Sequence, residues 1–289
     1  MPLRSARLPD DWPALARLID EIERLDGYDP LTEDAYLAIG SGDGPPGLVA
    51  VEDGTPIGYA HLRRAVDATV VEVAVHPACR PVQAHLLLQA AVTRAGEGET
   101  RLWASDAETV AAAEELGFRE TRRLVQMIRP LPPDEAPALP GGLDVASFRR
   151  GLDEDAVLGV NNVAFAGHPD NGAWTREILE GRMARRWFDP RGLLLARRAG
   201  ELVGFCWTKM HSRAVGEIYV IAVLPHLQGR GLGAGLALLG LWDLHDRSGA
   251  RSATLFTESG NERARRLYER LGFEVLRSKR HLERRAPQG

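Results

Sequence analysis

The stretch Val220-Ile-Ala-Val-Leu-Pro-His-Leu-Gln-Gly-Arg-Gly-Leu-Gly-Ala-Gly235 joins an apolar strand to a glycine-rich turn and the start of a helix. Residues 218–224 are apolar and rich in β-branched side chains, which predicts a strand buried on both faces. Pro225 ends this strand, and residues 234–244 continue as an apolar helix. The glycines leave successive backbone N–H groups uncovered at a helix N-terminus, where partial positive charge collects. The stretch therefore predicts a phosphate-binding turn in an α/β fold.

The spacing of the glycines narrows the kind of phosphate site. The stretch has neither the Gly-Lys-Ser/Thr of a P-loop nor the G-x-G-x-x-G fingerprint of dinucleotide-binding folds. Gln228-Gly-Arg-Gly-Leu-Gly233, after a strand that ends in Val-Leu-Pro, resembles the acetyl-CoA pyrophosphate loop of the GNAT superfamily of N-acetyltransferases. Asn261-Glu-Arg-Ala-Arg-Arg-Leu-Tyr-Glu-Arg-Leu-Gly-Phe273 resembles the same superfamily independently. This resemblance implies an α/β fold with a mixed (α+β) sheet and acetyl-CoA as cosubstrate, without a metal.

The chain contains two similar halves around a proline-rich segment. Residues 130–142 hold five prolines and two glycines without periodicity, which predicts a linker. Three segments of the first half recur in the same order in the second, at offsets of 146, 148 and 155 residues: 55–59 with 201–205, 73–77 with 221–225, and 115–118 with 270–273. We therefore predict two tandem GNAT domains, residues 1–130 and 143–289, joined by a linker at 131–142.

Each half is predicted to contain strands and helices in the same order. In the second half we predict strands at 192–197, 202–210, 217–223, 253–257 and 273–281, and helices at 232–248 and 261–271. The ligand is expected at the carboxyl ends of the central strands.

The two halves differ in the residues that carry chemistry. In place of the glycine-rich turn, the first half has Cys79-Arg-Pro-Val-Gln-Ala84, which contains no glycine and a proline without an N–H group. Thr69 and Ala113 stand where the second half has Glu217 and Tyr268. The first domain is therefore predicted to be catalytically silent, and a second CoA site is not expected there.

Acetyl transfer to an amine needs a base for the ammonium and an acid for the leaving thiolate. Glu217 begins the central strand and is a candidate base; the alternative is a strand-end charge facing solvent. Tyr268 is a candidate acid, and the alternative is a hydrogen-bonded core tyrosine. Asn261 lies two turns before Tyr268 on the same helix face and suits an N-cap.

Longer segments outside the general motifs point to one family within the superfamily. Residues 161–175, 187–190, 204–211 and 216–220 resemble mycothiol synthase, a tandem GNAT family that acetylates the cysteinyl amine of Cys-GlcN-Ins. The resemblance covers nearly all of 143–285. It implies direct attack with Glu217 as general base, which also touches the substrate, and Tyr268 as general acid.

The same resemblance implies two further groups of site residues. Those beside acetyl-CoA are Ile221, Ala222, Val223, Gln228, Gly229, Arg230, Gly231, Leu232, Gly233, Ala234, Asn261, Glu262, Arg263, Ala264, Arg265 and Arg266. Those that contact the acceptor are Glu33, Asp170, Lys209 and Glu217. Asp170 replaces the glutamate that is usual in the family, and Phe256 replaces a usual tyrosine. His168, His211, Trp174 and Trp187 are interpreted as structural, and Cys206 as a core thiol.

Composition limits the alternatives. A net charge of −4 argues against a nucleic-acid partner, and no apolar run or leader-like segment suggests a membrane or export. Two cysteines fit a reducing cytoplasm, and a monomer is expected. Two alternatives remain: a tandem GNAT that acetylates another small amine, and an acyl-CoA-binding sensor without turnover.

Overall fold

The structure is a computed structural model that describes residues 3–8, 10–32, 35–36, 39, 46–65, 67–168, 171–212 and 214–285. Two of the predicted acceptor-binding residues, Glu33 and Asp170, lie outside the described residues. The chain forms two units, residues 1–124 with 277–289 and residues 125–276.

The first unit is a mixed sheet with helices on both faces. Its sheet has the order β1-β2-β3-β4-β5-β12, in which only β4 and β5 are parallel. Helix α1 packs on one face against Tyr59 and Ala74, and α2 packs on the other against Leu62 and Leu102. The elements are β1 (Leu3–Ser5), α1 (Trp12–Asp26), β2 (Leu48–Glu52), β3 (Thr55–Arg64), β4 (Ala68–Val75), α2 (Arg80–Ala95), β5 (Glu99–Ala104) and α3 (Ala107–Glu115). The unit also contains the first part of β6 (Arg119–Pro130), up to residue 124, and the last part of β12 (Glu274–Arg284), from residue 277 onward.

The second unit repeats this plan. Its sheet has the order β11-β10-β9-β8-β7, with β10 and β11 parallel and the other neighbours antiparallel. The strands and helices predicted for the second half are confirmed to within a few residues. The elements are β7 (Asp144–Ser147), α4 (Glu154–Ala164), α5 (Arg176–Met183), β8 (Leu193–Arg198), β9 (Glu201–Met210), β10 (Val215–Val223), α6 (Leu232–Asp246), β11 (Ser252–Glu258) and α7 (Glu262–Arg270), with the remaining parts of β6 and β12.

Helix α6 fills one face of this second sheet because its sequence is apolar on nearly all sides. Leu236, Leu241 and Leu244 are fully buried against side chains of β9, β10 and β11. On the opposite face, α4 and α5 cover Phe205 and Trp207. No helix in the described ranges is long and apolar enough to cross a membrane.

The bounds of the units differ from the predicted domains 1–130 and 143–289. Residues 280–284 of β12 pair with β5, and Leu282 is fully buried in the core of the first unit. Val125 and Met127 of β6 are buried in the core of the second unit. Each unit thus contains a strand segment from the other half of the sequence.

The predicted linker at 131–142 belongs to the second unit. The backbone N–H of Leu131 donates to the carbonyl of Arg251 (2.9 Å), and the indole of Trp242 on α6 donates to the carbonyl of Glu135 (2.9 Å). The proline-rich segment is therefore fixed along α6 by its backbone groups.

Candidate active site

Strands β10 and β11 separate immediately after Glu217. Their parallel pairing covers Val215 with Ser252 through Glu217 with Thr254, and no pairing between them follows for residues 218–223 of β10. On its other edge, β10 has a bulge against β9 between Ile218 and Val220. A bulge of this kind bends a strand and re-aims its side chains. The separation leaves an opening in the sheet beside Glu217.

The glycine-rich turn presents six open N–H groups at the start of α6. Residues 229–234 donate no backbone hydrogen bond to any described residue, and the first bond of the helix runs from Gly235 N to Gly231 O (3.0 Å). Gly229 and Gly231 have φ values of 78° and 86°, the left-handed region that favours glycine. These N–H groups and the positive helix end form an anion cradle.

Gly235, the last glycine of the motif, serves a different purpose. A Cβ atom at this position would lie 2.4 Å from the carbonyl oxygen of Ala138, in the proline-rich segment. Gly235 is therefore required for the close approach of that segment to α6.

Helix α7 carries two of the predicted site residues. Asn261 is its N-cap, with Oδ1 accepting from Ala264 N (3.1 Å), as predicted. Tyr268 packs against the core of β10, β11 and α6, with its ring 5.9 Å from that of Phe273. Burial raises the pKa of Tyr268 to about 12, so the hydroxyl keeps its proton at neutral pH. Near the cradle, the guanidinium of Arg263 lies 3.4 Å from Oε1 of Gln228.

Glu217 is a buried carboxylate held by two cationic or ionisable side chains. It is 4% exposed, its Oε2 lies 3.5 Å from Nζ of Lys209, and the same oxygen is hydrogen-bonded to Nε2 of His211. Burial by itself raises the pKa of Glu217, but Lys209 and His211 outweigh it and hold the pKa below the ordinary value. The alternative interpretation of Glu217, a strand-end charge that faces solvent, is therefore wrong, because the carboxylate is buried.

Aromatic side chains form a wall next to this carboxylate. Nζ of Lys209 lies over the rings of Tyr219 (4.5 Å) and Trp187 (5.3 Å). Arg182 is hydrogen-bonded to the hydroxyl of Tyr219 and stacks over Trp174 (4.5 Å). Cation–π contacts of this kind fix the positive groups on one side of the opening. Tyr268 lies with the core on the opposite face of β10.

The equivalent place in the first unit has a different structure. The pairing of β3 with β4 is regular from Gly58 to Arg64, without a bulge. Arg80, 8% exposed, stands where the glycine turn would begin. Its guanidinium donates to the carbonyl of Val75 (3.1 Å) at the end of β4, pairs with Asp26 and lies 3.7 Å from Asp106.

Three residues that the sequence analysis interpreted as structural have defined surroundings in the structure. His168 contacts Glu258 (Nε2 to Oε1, 3.9 Å), and Cys206 is fully buried, where burial raises its pKa. His211 was interpreted as structural, yet it contacts Glu217 directly. Sequence reasoning also missed Arg182, which no motif marks, and Tyr219, which lies in the family-like segment 216–220 but was given no role. Within the described residues, no three His, Cys, Asp or Glu side chains are grouped to hold a metal ion.

Comparison with known proteins assigns the fold and the relatives of the chain. A model of the Acetyltransferase (GNAT) family matches residues 164–273. Mycothiol acetyltransferase of Thermomonospora curvata is 44% identical over 264 residues, covering 89% of this chain and 88% of that protein. The protein of the same name from Thermobispora bispora is 42% identical over 277 residues, covering 92% and 93%.

Solved structures share the fold of the chain over nearly its whole length. A GCN5-related N-acetyltransferase from Sphaerobacter thermophilus matches with a TM-score of 0.76 and 25% identity over 98% of this chain and 95% of that one. A tandem GNAT protein from the clavulanic acid biosynthesis pathway matches with a TM-score of 0.72 and 17% identity over 100% and 99%. The predicted fold, a tandem GNAT with a mixed sheet, is confirmed.

Proposed function

Because this chain belongs to the mycothiol acetyltransferase family, we propose that it moves the acetyl group of acetyl-CoA to the cysteinyl amine of Cys-GlcN-Ins, forming mycothiol. Family membership makes the chain an acetyltransferase. The observation that carries the proposal is the buried carboxylate of Glu217 at the point where β10 and β11 separate, above an anion cradle of six open N–H groups.

The proposed reaction forms one bond and breaks one. The amine nitrogen forms an N–C bond with the thioester carbonyl carbon, and the C–S bond breaks, with its electron pair leaving on sulfur. The nitrogen loses two protons in turn: Glu217 takes the first from the ammonium before attack, directly or through one water, and passes it to solvent. The second leaves the nitrogen by the same route as the amide forms. Tyr268 gives a proton to the thiolate and regains one from solvent. No acetyl-enzyme is formed.

The lowered pKa of Glu217 suits a base that must be ionised before the acceptor binds. The cost is weak affinity for the proton, so Glu217 must pass the proton onward quickly. The positive charge of Lys209 beside the carboxylate also disfavours an ammonium at this place relative to a neutral amine. The Lys209 charge therefore favours the nucleophilic form of the acceptor, and the lowered pKa keeps Glu217 ionised and ready to accept a proton.

Acetyl-CoA is proposed to bind through the cradle and the separated strands. The pyrophosphate would accept hydrogen bonds from the N–H groups of residues 229–234, with Gln228 at the edge. Ile221, Ala222 and Val223 would offer backbone groups to the acyl arm, on the edge of β10 that β11 leaves unpaired. Residues 261–266 of the α7 start, which include three arginines, would lie beside the cofactor.

The pseudodisaccharide is proposed to contact Lys209. The other two predicted acceptor contacts, Glu33 and Asp170, lie outside the described residues. Lys209 is 12% exposed at its side chain and lies beside the aromatic wall, a setting suited to a sugar with many hydroxyl groups. Two free cysteines fit a reducing compartment, and we propose the cytoplasm as the site of the reaction.

We also propose that the first unit does not catalyse transfer or bind acetyl-CoA. The Arg80 guanidinium, held by two aspartates and the Val75 carbonyl, occupies the end of β4, and Pro81 removes an N–H group. Equilibrium dialysis with acetyl-CoA should therefore saturate at one molecule per chain. Saturation at two would contradict this part of the proposal.

The function is tested by incubating the purified chain with acetyl-CoA and Cys-GlcN-Ins, beside a panel of simple amines, and following products by mass spectrometry. The proposal predicts acetylated Cys-GlcN-Ins as the main product. Phe256 is 40% exposed on β11 and carries no hydroxyl group, which favours one alternative, another small-amine acceptor. Turnover only on other amines would support that alternative, and CoA binding without turnover would support a sensor.

A further inference from the structure

We propose that His211 is a positioning residue for Glu217: it holds Oε2 of the carboxylate so that Oε1 is directed at the acceptor amine. The inference rests on the proposed function, because it deepens the role of the same site. None of the roles assigned above includes His211.

The contacts of Glu217 fall on one of its two oxygens. Nε2 of His211 is hydrogen-bonded to Oε2, and Nζ of Lys209 lies 3.5 Å from the same oxygen. Oε1 makes no hydrogen bond with a described residue. A carboxylate held through one oxygen has its second oxygen's lone pairs fixed in direction, and that oxygen is the one available to a proton donor.

Of the two partners of the Glu217 carboxylate, His211 is the one that determines the direction in which Oε1 points. The ammonium of Lys209 is a rotating point charge that is also attracted to the rings of Tyr219 and Trp187, and its distance to Oε2 is longer than a good hydrogen bond. The imidazole N–H is a single planar donor. It is set in place by the turn between β9 and β10, where His211 N donates to Val215 O (2.9 Å).

No other charged group among the described residues contacts Glu217. From β9 and the following turn come Lys209 and His211. From β11 comes its register partner Thr254, a neutral residue bonded to Met127 O (2.8 Å) and contacted by the neutral Gln126 of β6. His211 is 42% exposed at its side chain, so it also links the buried carboxylate to solvent.

The kinetic test compares His211→Ala with His211→Gln. Loss of a hydrogen bond to a charged group should lower kcat about 10- to 100-fold in His211→Ala, with KM for acetyl-CoA nearly unchanged. His211→Gln keeps an N–H donor of similar reach and should recover most of that loss. His85→Ala is the matched control, since His85 pairs with Glu115 (3.1 Å) on the first unit; it should leave kcat unchanged.

A second readout does not depend on turnover. The Glu217 carboxyl carbon, labelled with ¹³C and assigned through Glu217→Gln, is titrated by NMR in the full chain. Because His211 helps to lower this pKa, the midpoint should rise in His211→Ala and not in His85→Ala. An unchanged midpoint, or equal kcat in wild type and His211→Ala, would overturn the inference. A wild-type chain that does not acetylate Cys-GlcN-Ins but shows the midpoint shift would refute the proposed function alone.

Discussion

Replacing Glu217 with glutamine tests the assigned base with the least change in shape. The amide keeps the size of the side chain but cannot accept the proton of the ammonium. A positioned general base contributes about 10²–10⁴-fold to a rate, which corresponds to about 2.7–5.4 kcal/mol of activation free energy. We expect kcat to fall within this range.

The same substitution has a separate cost in stability. Lys209, 12% exposed, and His211, 42% exposed, would face a neutral amide in place of a carboxylate. Breaking a fully buried pair costs about 3–5 kcal/mol and an exposed pair about 0–1 kcal/mol, so this intermediate site should lose about 2 kcal/mol. For a unit of this size the expected fall in Tm is about 4–8 °C.

The assay follows loss of the thioester together with acetyl-CoA binding by calorimetry and Tm by calorimetric scan. Glu217→Gln should retain acetyl-CoA affinity, because the side chain of residue 217 is not among the groups proposed to hold the cofactor. Glu201→Gln, the same change at an exposed residue that begins β9, is the control and should retain kcat. A lowered Tm with wild-type kcat would refute the base and leave Glu217 as a structural partner of Lys209.

Three further predictions concern the acid, the cradle and the acceptor contact. Tyr268→Phe should lower kcat with little change in acceptor affinity. Because burial raises the pKa of Tyr268 to about 12, the wild-type rate should show no alkaline fall from this residue below about pH 11. A fall in rate near pH 8 that disappears in Tyr268→Phe would contradict this. Gly231→Ala, at φ 86°, should weaken acetyl-CoA binding about 5- to 30-fold through about 1–2 kcal/mol of backbone strain. The control is Gly200→Ala, at φ 85° in the β8–β9 turn, which should leave binding unchanged. Calorimetry that finds equal affinities for both variants would argue against the cradle. Lys209→Met should raise KM for Cys-GlcN-Ins more than KM for acetyl-CoA, and steady-state kinetics showing the reverse would place Lys209 with the cofactor.

The sequence predicts the local features of the second unit well. The β8–β9 hairpin, the strand before Pro225, the helix after the glycine turn and the Asn261 cap all depend on residues close in sequence. Propensity, periodicity and capping chemistry act over such short distances. The same features identified the cradle and the family.

The remaining features depend on contacts between distant parts of the chain. Strands β6 and β12 have similar patterns, so nothing local indicates that Leu282 is buried in the first unit while Met127 is buried in the second. The contact of His211 with Glu217 depends on the length of the turn between β9 and β10, which sets Glu217 opposite Lys209. The requirement for glycine at position 235 likewise comes from Ala138, which is distant in sequence.

The central claim is that the second unit acetylates the cysteinyl amine of Cys-GlcN-Ins, and a competition experiment tests it most directly. The full chain receives limiting acetyl-CoA and an equimolar mixture of Cys-GlcN-Ins, cysteine, GlcN-Ins and a polyamine, and mass spectrometry with fragmentation locates the acetyl group. The account predicts that Cys-GlcN-Ins takes nearly all of the acetyl groups, on the cysteinyl nitrogen, and that Glu217→Gln lowers the initial rate of this product about 10²–10⁴-fold. Acetylation spread evenly over the amines, or confined to one of the others, would contradict it.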